Sequence, residues 1–595
     1  MPGTAIHGNN RLIRKSIARV LPACFAATMT GSITLMMDSL LAGSLLGALS
    51  IAAVAIGNPV VNILRALVQT VSSGAAVKIT VHIGRGDQEE INRAYSMGVF
   101  GTIILGVLAM LVSVLGAGTL AGLFGGNADP EAARQGMLYI LACAPSILFF
   151  SLNFYMGKVL SVYGCQKLVF LNAVVSVCAN LGFSVVSVKL LPEKMAVAGL
   201  GIGTSIATVI VCCMCFTIVK LKKLPLKLSL RGFTLTDMGQ ALVLGIPTSG
   251  NNLADGVVSG VVNNIILRGF GGDTTALAIY TAVKGVAAFA QAVCMGTALA
   301  TAPLFGLLYG ARDKNGLKRT LREGYKVGLA FTVVWCGVLA AALPVLMRFY
   351  GMEGNLIMRN GTLICMAFTP VILAIRIMTQ LFESTEKAAM GLYYSVIPDS
   401  VIFPVMLLAL MPALGYLGIW ISYGANGIVF VVLMYLVRSL KLRDGRMSAD
   451  RLLCLDESVR DNVPMLDISI RSDSGDIAGL SEQIHHFLAR ENISGRCAYL
   501  TALCLEELSA DFLAHMEQEN QKNIRKEIMD VKIFSDEKTL RLIIRNAAKA
   551  YNPLNFELDD TTFAKVGVKM AQKAARNIEY SYVYGMNIVN IDLDK

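Results

Sequence analysis

The chain has 595 residues, 55% of them hydrophobic and only 16% charged, with a formal net charge of +11 and a mean hydropathy of +0.60. Soluble globular chains carry roughly 25% charged residues, so a wholly soluble protein is excluded. The basic surplus falls mostly in loops between apolar blocks, which leaves no case for a nucleic-acid surface.

Residues 1–440 read as apolar blocks of about twenty residues, each long enough to span ~30 Å of hydrocarbon. Their spacing predicts twelve transmembrane helices, near 16–40, 48–72, 96–120, 134–157, 168–190, 198–219, 238–264, 276–304, 325–347, 360–382, 391–411 and 414–437. Arg11, Arg14, Lys15 and Arg19 precede the first helix. The loops after helices 2, 6 and 8 carry Lys78, Arg85 and Arg93, then Lys220 to Arg231, then Arg312 to Arg322. The opposite loops Gly43–Gly47 and Pro412–Gly415 have no Lys or Arg. Even-numbered loops and both termini are therefore expected in the cytoplasm. The first apolar stretch is too long for a cleavable signal peptide. Ten of the 13 cysteines lie before residue 440. Cys212, Cys213 and Cys215 sit within one helix, where thiols pack as small apolar groups, and no second ligand cluster suggests a metal site.

The membrane region repeats itself. Gly47-Ala-Leu-Ser-Ile51 opens helix 2 and Gly84-Arg-Gly-Asp87 follows it; Thr275-Ala-Leu-Ala-Ile279 opens helix 8 and Gly310-Ala-Arg-Asp313 follows it. Six helices separate the copies, so the two halves share one orientation, and parallel repeats place a cleft between two bundles. The expected fold is an all-α polytopic membrane protein, with an N-lobe over 1–230 and a C-lobe over 231–440. At these residues the chain resembles the multidrug and toxic compound extrusion (MATE) family. The matching stretches are Met37-Asp-Ser-Leu-Leu-Ala-Gly43 with Ala48–Val54, Gly84-Arg-Gly-Asp87, Gly199–Thr208, Gly245-Ile-Pro247 and Gly415-Tyr-Leu-Gly-Ile-Trp420. The resemblance implies two six-helix lobes and export driven by a proton or sodium gradient.

Polar residues inside the spans are functional candidates, because an unpaired charge at the bilayer centre costs at least ~2.5–3.5 kcal/mol. Helix 2 carries Asn58, Asn62, Arg65 and Gln69 at spacings of four, three and four, which form one stripe. Helix 7 repeats the pattern with Asn252, Asp255, Ser259 and Asn263, and helix 10 with Arg376, Gln380 and Glu383. These stripes line a substrate cavity or glue helices together. Asp38, near the outer end of helix 1, is the candidate for ion coupling: poor solvation raises a carboxyl pKa, and the ionised group is an oxygen ligand for sodium. In the MATE resemblance Asp38 falls on the first-helix aspartate implicated in coupling, and Asp255 matches an acidic position used for cations in some members. Lys284 on helix 8 is a candidate to neutralise Asp255. Asp399 on helix 11 needs a partner, and Arg376 is a candidate for it.

After Lys441 the composition becomes mixed and charged. Residues 441–463 read as a linker and 464–595 as a small cytoplasmic α+β domain. Its expected elements are strand Asp467–Arg471, helices Ile477–Glu491 and Arg496–Glu517, strands Ile528–Phe534 and Leu540–Arg545, a helix over Val566–Asn577 and a hairpin turning at Gly585. Glu506–His515, Ile544–Pro553 and Val566-Gly-Val-Lys-Met570 make this tail resemble the anti-sigma-factor type of GHKL ATPase domain. In that resemblance Glu507 falls on the catalytic base. Asp511 replaces a metal-holding asparagine, and Asn546 replaces the adenine-reading aspartate. Ala548 stands at a glycine position, and Lys565-Val566 precede the one remaining phosphate-loop glycine, Gly567. The expected tail is therefore a degenerate domain in which ATP and magnesium binding is in question, acting as a regulatory or partner-binding module.

The expected function is a cation-coupled antiporter that exports drugs or small organic compounds from a bacterial cytoplasmic membrane by alternating access. Its substrates would often be cationic, as in the family, with a proton or sodium as coupling ion and no required cofactor. The expected partners are the lipid bilayer and a soluble protein at the tail. A flippase for a lipid-linked precursor and a membrane sensor with a kinase-like tail are the alternatives.

Overall fold

The computed structural model describes residues 6–7, 11–46, 48–85, 87–125, 130–229, 235–270, 274–349, 352–441, 465–471, 483–484, 486–518, 528–535, 539–555 and 566–595. They divide into two compact units. One is Val20–Ser161 with Cys165–Leu453; the other is Met1–Arg19, Val162–Gly164 and Cys454–Lys595.

The first unit is helical. In chain order it contains α1 (Arg11–Leu41) from Val20 onward, α2 (Ala48–Arg85), α3 (Gln88–Leu115), the short α4 (Ala117–Gly125), α5 (Pro130–Val162) up to Ser161, α6 (Gln166–Leu190) and α7 (Ala196–Leu221). The second half follows with α8 (Leu235–Gly269), α9 (Thr274–Gly310), α10 (Lys314–Phe349), α11 (Leu356–Ala367), α12 (Thr369–Ser384), α13 (Ala388–Ile397), α14 (Phe403–Leu414) and α15 (Tyr416–Lys441). Among the described residues nine helices are long and apolar enough to cross a membrane, or ten when one bent pair counts as a single span. Outside that tally stand α1 and α8, of 31 and 35 residues. Leu108, Leu115, Val186, Val334 and Val345 are exposed, as lipid-facing side chains of such helices would be.

Two spans are not the continuous helices expected from the sequence. The span near 360–382 is α11 and α12, bent by 45° at Phe368. Pro370 causes the break: it lacks an N–H and sits at the start of α12, the position where a helix tolerates proline. The span near 391–411 is interrupted by a π-helical turn, Pro398–Ile402, between α13 and α14. Pro398 opens that turn and Pro404 follows it, each removing a backbone donor.

The repeat has a physical reason. Asp87 caps α3 by accepting from the Glu90 backbone N–H at 3.1 Å, and Asp313 accepts from the Gly316 N–H at 2.8 Å at the head of α10. Three residues earlier, Gly84 and Gly310 lie against one another. Arg312 has φ 57°, at the place where the first copy has Gly86.

The second unit holds a six-stranded antiparallel sheet in the order β1-β2-β3-β4-β6-β5, from β1 (Ile6–His7), β2 (Met465–Arg471), β3 (Ile528–Ser535), β4 (Thr539–Asn546), β5 (Asn577–Val583) and β6 (Met586–Asp594). Period-two alternation sends Met529, Val531 and Ile533 of β3, Leu540, Leu542 and Ile544 of β4, and Val589, Ile591 and Leu593 of β6 into one core. Helix α16 (Gly495–Gln518) covers that face with Leu505, Leu508 and Phe512 at helical spacing. Helix α17 (Val566–Ala574) adds Val568 and Ala571 and ends three residues short of the expected helix. The hairpin expected at Gly585 is a two-residue turn, with Tyr584 at φ 56° and Gly585 at φ 72°, both positive as a type I′ turn requires. Of the helix expected over Ile477–Glu491, residues 483–484 and 486–490 are helical and 472–482 lie outside the described residues.

Candidate functional site

The side chains of Asp38, Asn252, Asp255, Ser259 and Asn263 lie outside the described residues, although their backbone belongs to α1 and α8. The expected Asp255–Lys284 pairing lies outside them too; Lys284 itself is half-buried on α9. The remaining candidates form two separate clusters.

In the second half, Arg376 of α12 donates through Nη2 to Asp399 Oδ2 at 2.9 Å, and Asn426 of α15 donates through Nδ2 to Asp399 Oδ1 at 3.0 Å. Asp399 stands on the π turn, eleven residues into the Ala388–Leu414 span, about 16 Å of rise from its end. That is near the middle of a ~30 Å hydrocarbon core. The side chain of Arg376 is 15% exposed, but that of Asp399 is 46% exposed. A half-exposed ionised carboxylate at that depth is tolerable only where it meets water, so this pair fits the wall of an aqueous path. Nearby, Gln291 of α9 donates to the Tyr423 hydroxyl at 2.9 Å, one turn before Asn426. Gln380 donates to Glu383 Oε2 at 2.6 Å, so the helix 10 stripe is split: Arg376 bonds Asp399 on the π turn, and Gln380 and Glu383 bond each other.

The helix 2 stripe is also divided. Asn62 donates to Asn58 at 3.4 Å within α2. The buried Arg65 donates to Ser146 Oγ of α5, and its guanidinium lies 4.7 Å from the Phe150 ring centroid, a cation–π contact. Gln69 is buried. Among the described residues, Arg65 is thus held inside the first half by α5.

Several polar groups escaped the sequence reading. Lys158 of α5 donates to Ser73 Oγ of α2 at 3.1 Å, lies 4.7 Å from the Phe154 centroid, and feels the field of Glu383. It could have been found by the rule that singled out Arg65, an ionisable residue inside an apolar block. Asn153, Asn172 and Cys215 form a triangle at 2.7–3.4 Å between α5, α6 and α7. Asn426 differs from many other span asparagines only in what it touches, which sequence does not encode.

In the second unit, Glu507 and Asp511 are half-buried one turn apart on α16. The Tyr551 hydroxyl donates to Asp511 Oδ2 at 2.8 Å, and His515 stacks on the Tyr551 ring at 3.8 Å between centroids. Burial and the Asp511 carboxylate push the Tyr551 phenol well above its usual range. The side-chain carbonyl of Asn546, fully buried, accepts from the Ala548 N–H at 3.2 Å and from Asn587 Nδ2 at 2.8 Å. Its Nδ2 has no partner among the described residues. Asn546 stands where the resemblance has the adenine-reading aspartate, and its acceptor is engaged within the unit. Gly567 lies inside α17, directly after its first residue. No group of three or more His, Cys, Asp and Glu suited to a metal ion occurs among the described residues.

The family model MatE matches residues 22–186 and 257–407, which is more than half the chain. The chain belongs to the MatE family. A curated relative, the multidrug export protein MepA of Staphylococcus saprophyticus, is 25% identical over 280 residues, 45% of this chain. The match spans 59% of that relative's length. Among solved structures, MATE in complex with MaL6 aligns with a TM-score of 0.66 at 18% identity, over 72% of this chain and 96% of that one. A multidrug resistance MATE transporter of the MOP superfamily in an outward-facing conformation gives 0.64 at 17%, over 74% and 97%. A MOP superfamily transporter from Pyrococcus furiosus gives 0.64 at 17%, over 73% and 97%. This MatE chain therefore has a MATE transporter fold over its helical unit, with the sheet unit additional to it.

Proposed function

We propose that the protein is a twelve-helix secondary transporter of a bacterial inner membrane, exporting small organic compounds by alternating access in exchange for protons or sodium. The observation that carries this reading is the Asp399–Arg376–Asn426 cluster: a half-exposed carboxylate in mid-span, on a π turn, in a MatE chain. A carboxylate that exchanges partners inside a water-lined path can exchange a guanidinium for a cationic substrate or a coupling cation. Asp38 is the proposed coupling residue of the first half. The name of the MepA relative supports drugs as substrates. The test is substrate-induced proton or sodium flux in proteoliposomes.

The tail is proposed as a regulatory or partner-binding module and not as a working ATPase. Tyr551 occupies the carboxylate that a magnesium ion would use, and Asn546 spends its acceptor on Ala548 and Asn587. Calorimetry of residues 464–595 with magnesium and ATP checks this. Tight binding, with turnover that disappears in Glu507→Ala, would overturn it.

A further inference from the structure

One end of the helical unit carries Asp87 and residues 222–229, 311–313 and 385–387, where the two halves of the chain meet. Arg93 of α3 donates to Asp237 Oδ2 of α8 at 2.7 Å. Lys78 of α2 lies 3.9 Å from Asp237 Oδ1 and donates to Gln240 at 2.7 Å. Arg85, the last residue of α2, lies 3.9 Å from Glu386, which follows α12. In each of these three ion pairs the cation belongs to the first half and the anion to the second. Random surface pairing would mix the signs.

Glu386 supplies an independent observation. Its φ is 60°, in the left-handed region where helix ends ordinarily place glycine. Its side chain nonetheless reaches the other half, at Arg85. The connection leading to Asp237 is tied down as well: Gln88 donates to the Pro225 carbonyl at 2.6 Å, Asn92 accepts from the Lys227 N–H, and Ser96 accepts from the Ser229 N–H, each at 2.9 Å.

We propose that this end is closed by a charge-segregated latch, with Lys78, Arg85 and Arg93 of the first half against Asp237 and Glu386 of the second. The latch sets the resting balance between the closed and opened states of this end, and rests on the alternating-access reading above. Single exposed ion pairs contribute little, but all of these break in one movement when the halves part, so their small contributions act together.

The experiment places nitroxides at Lys167 and Asn315 of the full-length protein, without native cysteines, in lipid nanodiscs, and reads their distance distribution. Asp237→Lys is expected to move population toward longer distances, about two- to five-fold per pair lost. Arg85→Glu is expected to do the same, and Arg85→Glu with Glu386→Arg together to restore the wild-type distribution. Raising salt should lengthen the wild-type distances. Glu386→Gly separates the latch from a mere turn residue: glycine relieves the backbone, so a structural role predicts no change in distance, and the latch predicts lengthening. Unchanged distributions in Asp237→Lys and Glu386→Gly would overturn the proposal, as would a double reversal no closer to wild type than its parts. The distances need no substrate, so they fail or succeed independently of the transport reading.

Discussion

Gly84 and Gly310, equivalent positions of the internal repeat, touch backbone to backbone. A Cβ on Gly84 would stand 2.9 Å from Gly310 Cα, and a Cβ on Gly310 would stand 3.0 Å from Gly84 Cα and overlap the Val81 carbonyl oxygen. Close helix crossing through small residues is how membrane helices gain contact without a hydrophobic drive. The same holds where Gly74 meets the Ala241 backbone and Gly245 meets that of Thr70. A closed interface built on glycine is all or nothing. One methyl group forces the helices apart.

Gly310→Ala should therefore open this end. Overpacking typically costs about 1–3 kcal/mol, which shifts a two-state population by roughly 5- to 150-fold. Labelling of a cysteine placed at Thr80 by a thiol reagent should rise accordingly. Labelling equal to that of the unsubstituted protein would show that the crossing tolerates separation.

The Arg376–Asp399 pair should show measurable coupling. Because Asp399 is half-exposed, water screens part of the attraction, and we expect about 1–2 kcal/mol, above a surface pair and below a fully buried one. A double-mutant cycle of Arg376→Gln and Asp399→Asn, read by unfolding in detergent, measures it. Additivity within about 0.5 kcal/mol would leave the pair without energetic content.

Asp530 makes the sheet unit sensitive to pH. It is buried on β3, accepts from Ser469 at 2.6 Å, and burial raises its pKa from 3.8 to about 6. The folded form thus binds this proton more tightly than the unfolded form. Its contribution is most favourable below pH 3.8, declines as pH rises to about 6, and is flat above, a loss of roughly 3 kcal/mol. Asp530→Asn should raise the urea midpoint of residues 454–595 at pH 7.5 and abolish the decline. A lower midpoint with the decline intact would contradict this.

Most of the helical unit is legible in the sequence, because twenty apolar residues in a row have few other fates. The repeat is legible too, since a glycine at a crossing and an aspartate at the next N-cap are local requirements written at fixed spacing. The π turn at Pro398 is not: its prolines look the same as those of ordinary kinks. Partners chosen by packing are not legible either. Arg65 and Arg376 are equivalent to the eye, yet one bonds Ser146 inside its own half and the other bonds Asp399. Likewise Lys78, Arg85 and Arg93 read as loop charges that set orientation, and their pairing with Asp237 and Glu386 needs the fold. In the tail, alternation gave the strands, but Tyr551 bonding Asp511 joins residues 40 apart.

Exchange of a substrate against a cation is read in reconstituted protein. Purified protein in proteoliposomes is given a proton or sodium gradient with the higher ion concentration in the lumen, and uptake of a fluorescent organic cation is followed alongside ion efflux. Substrate should move only with a gradient, ion flux should rise when substrate is present, and both should vanish in a properly inserted Asp38→Asn variant. Transport that proceeds unchanged without either gradient, or in Asp38→Asn, would contradict it.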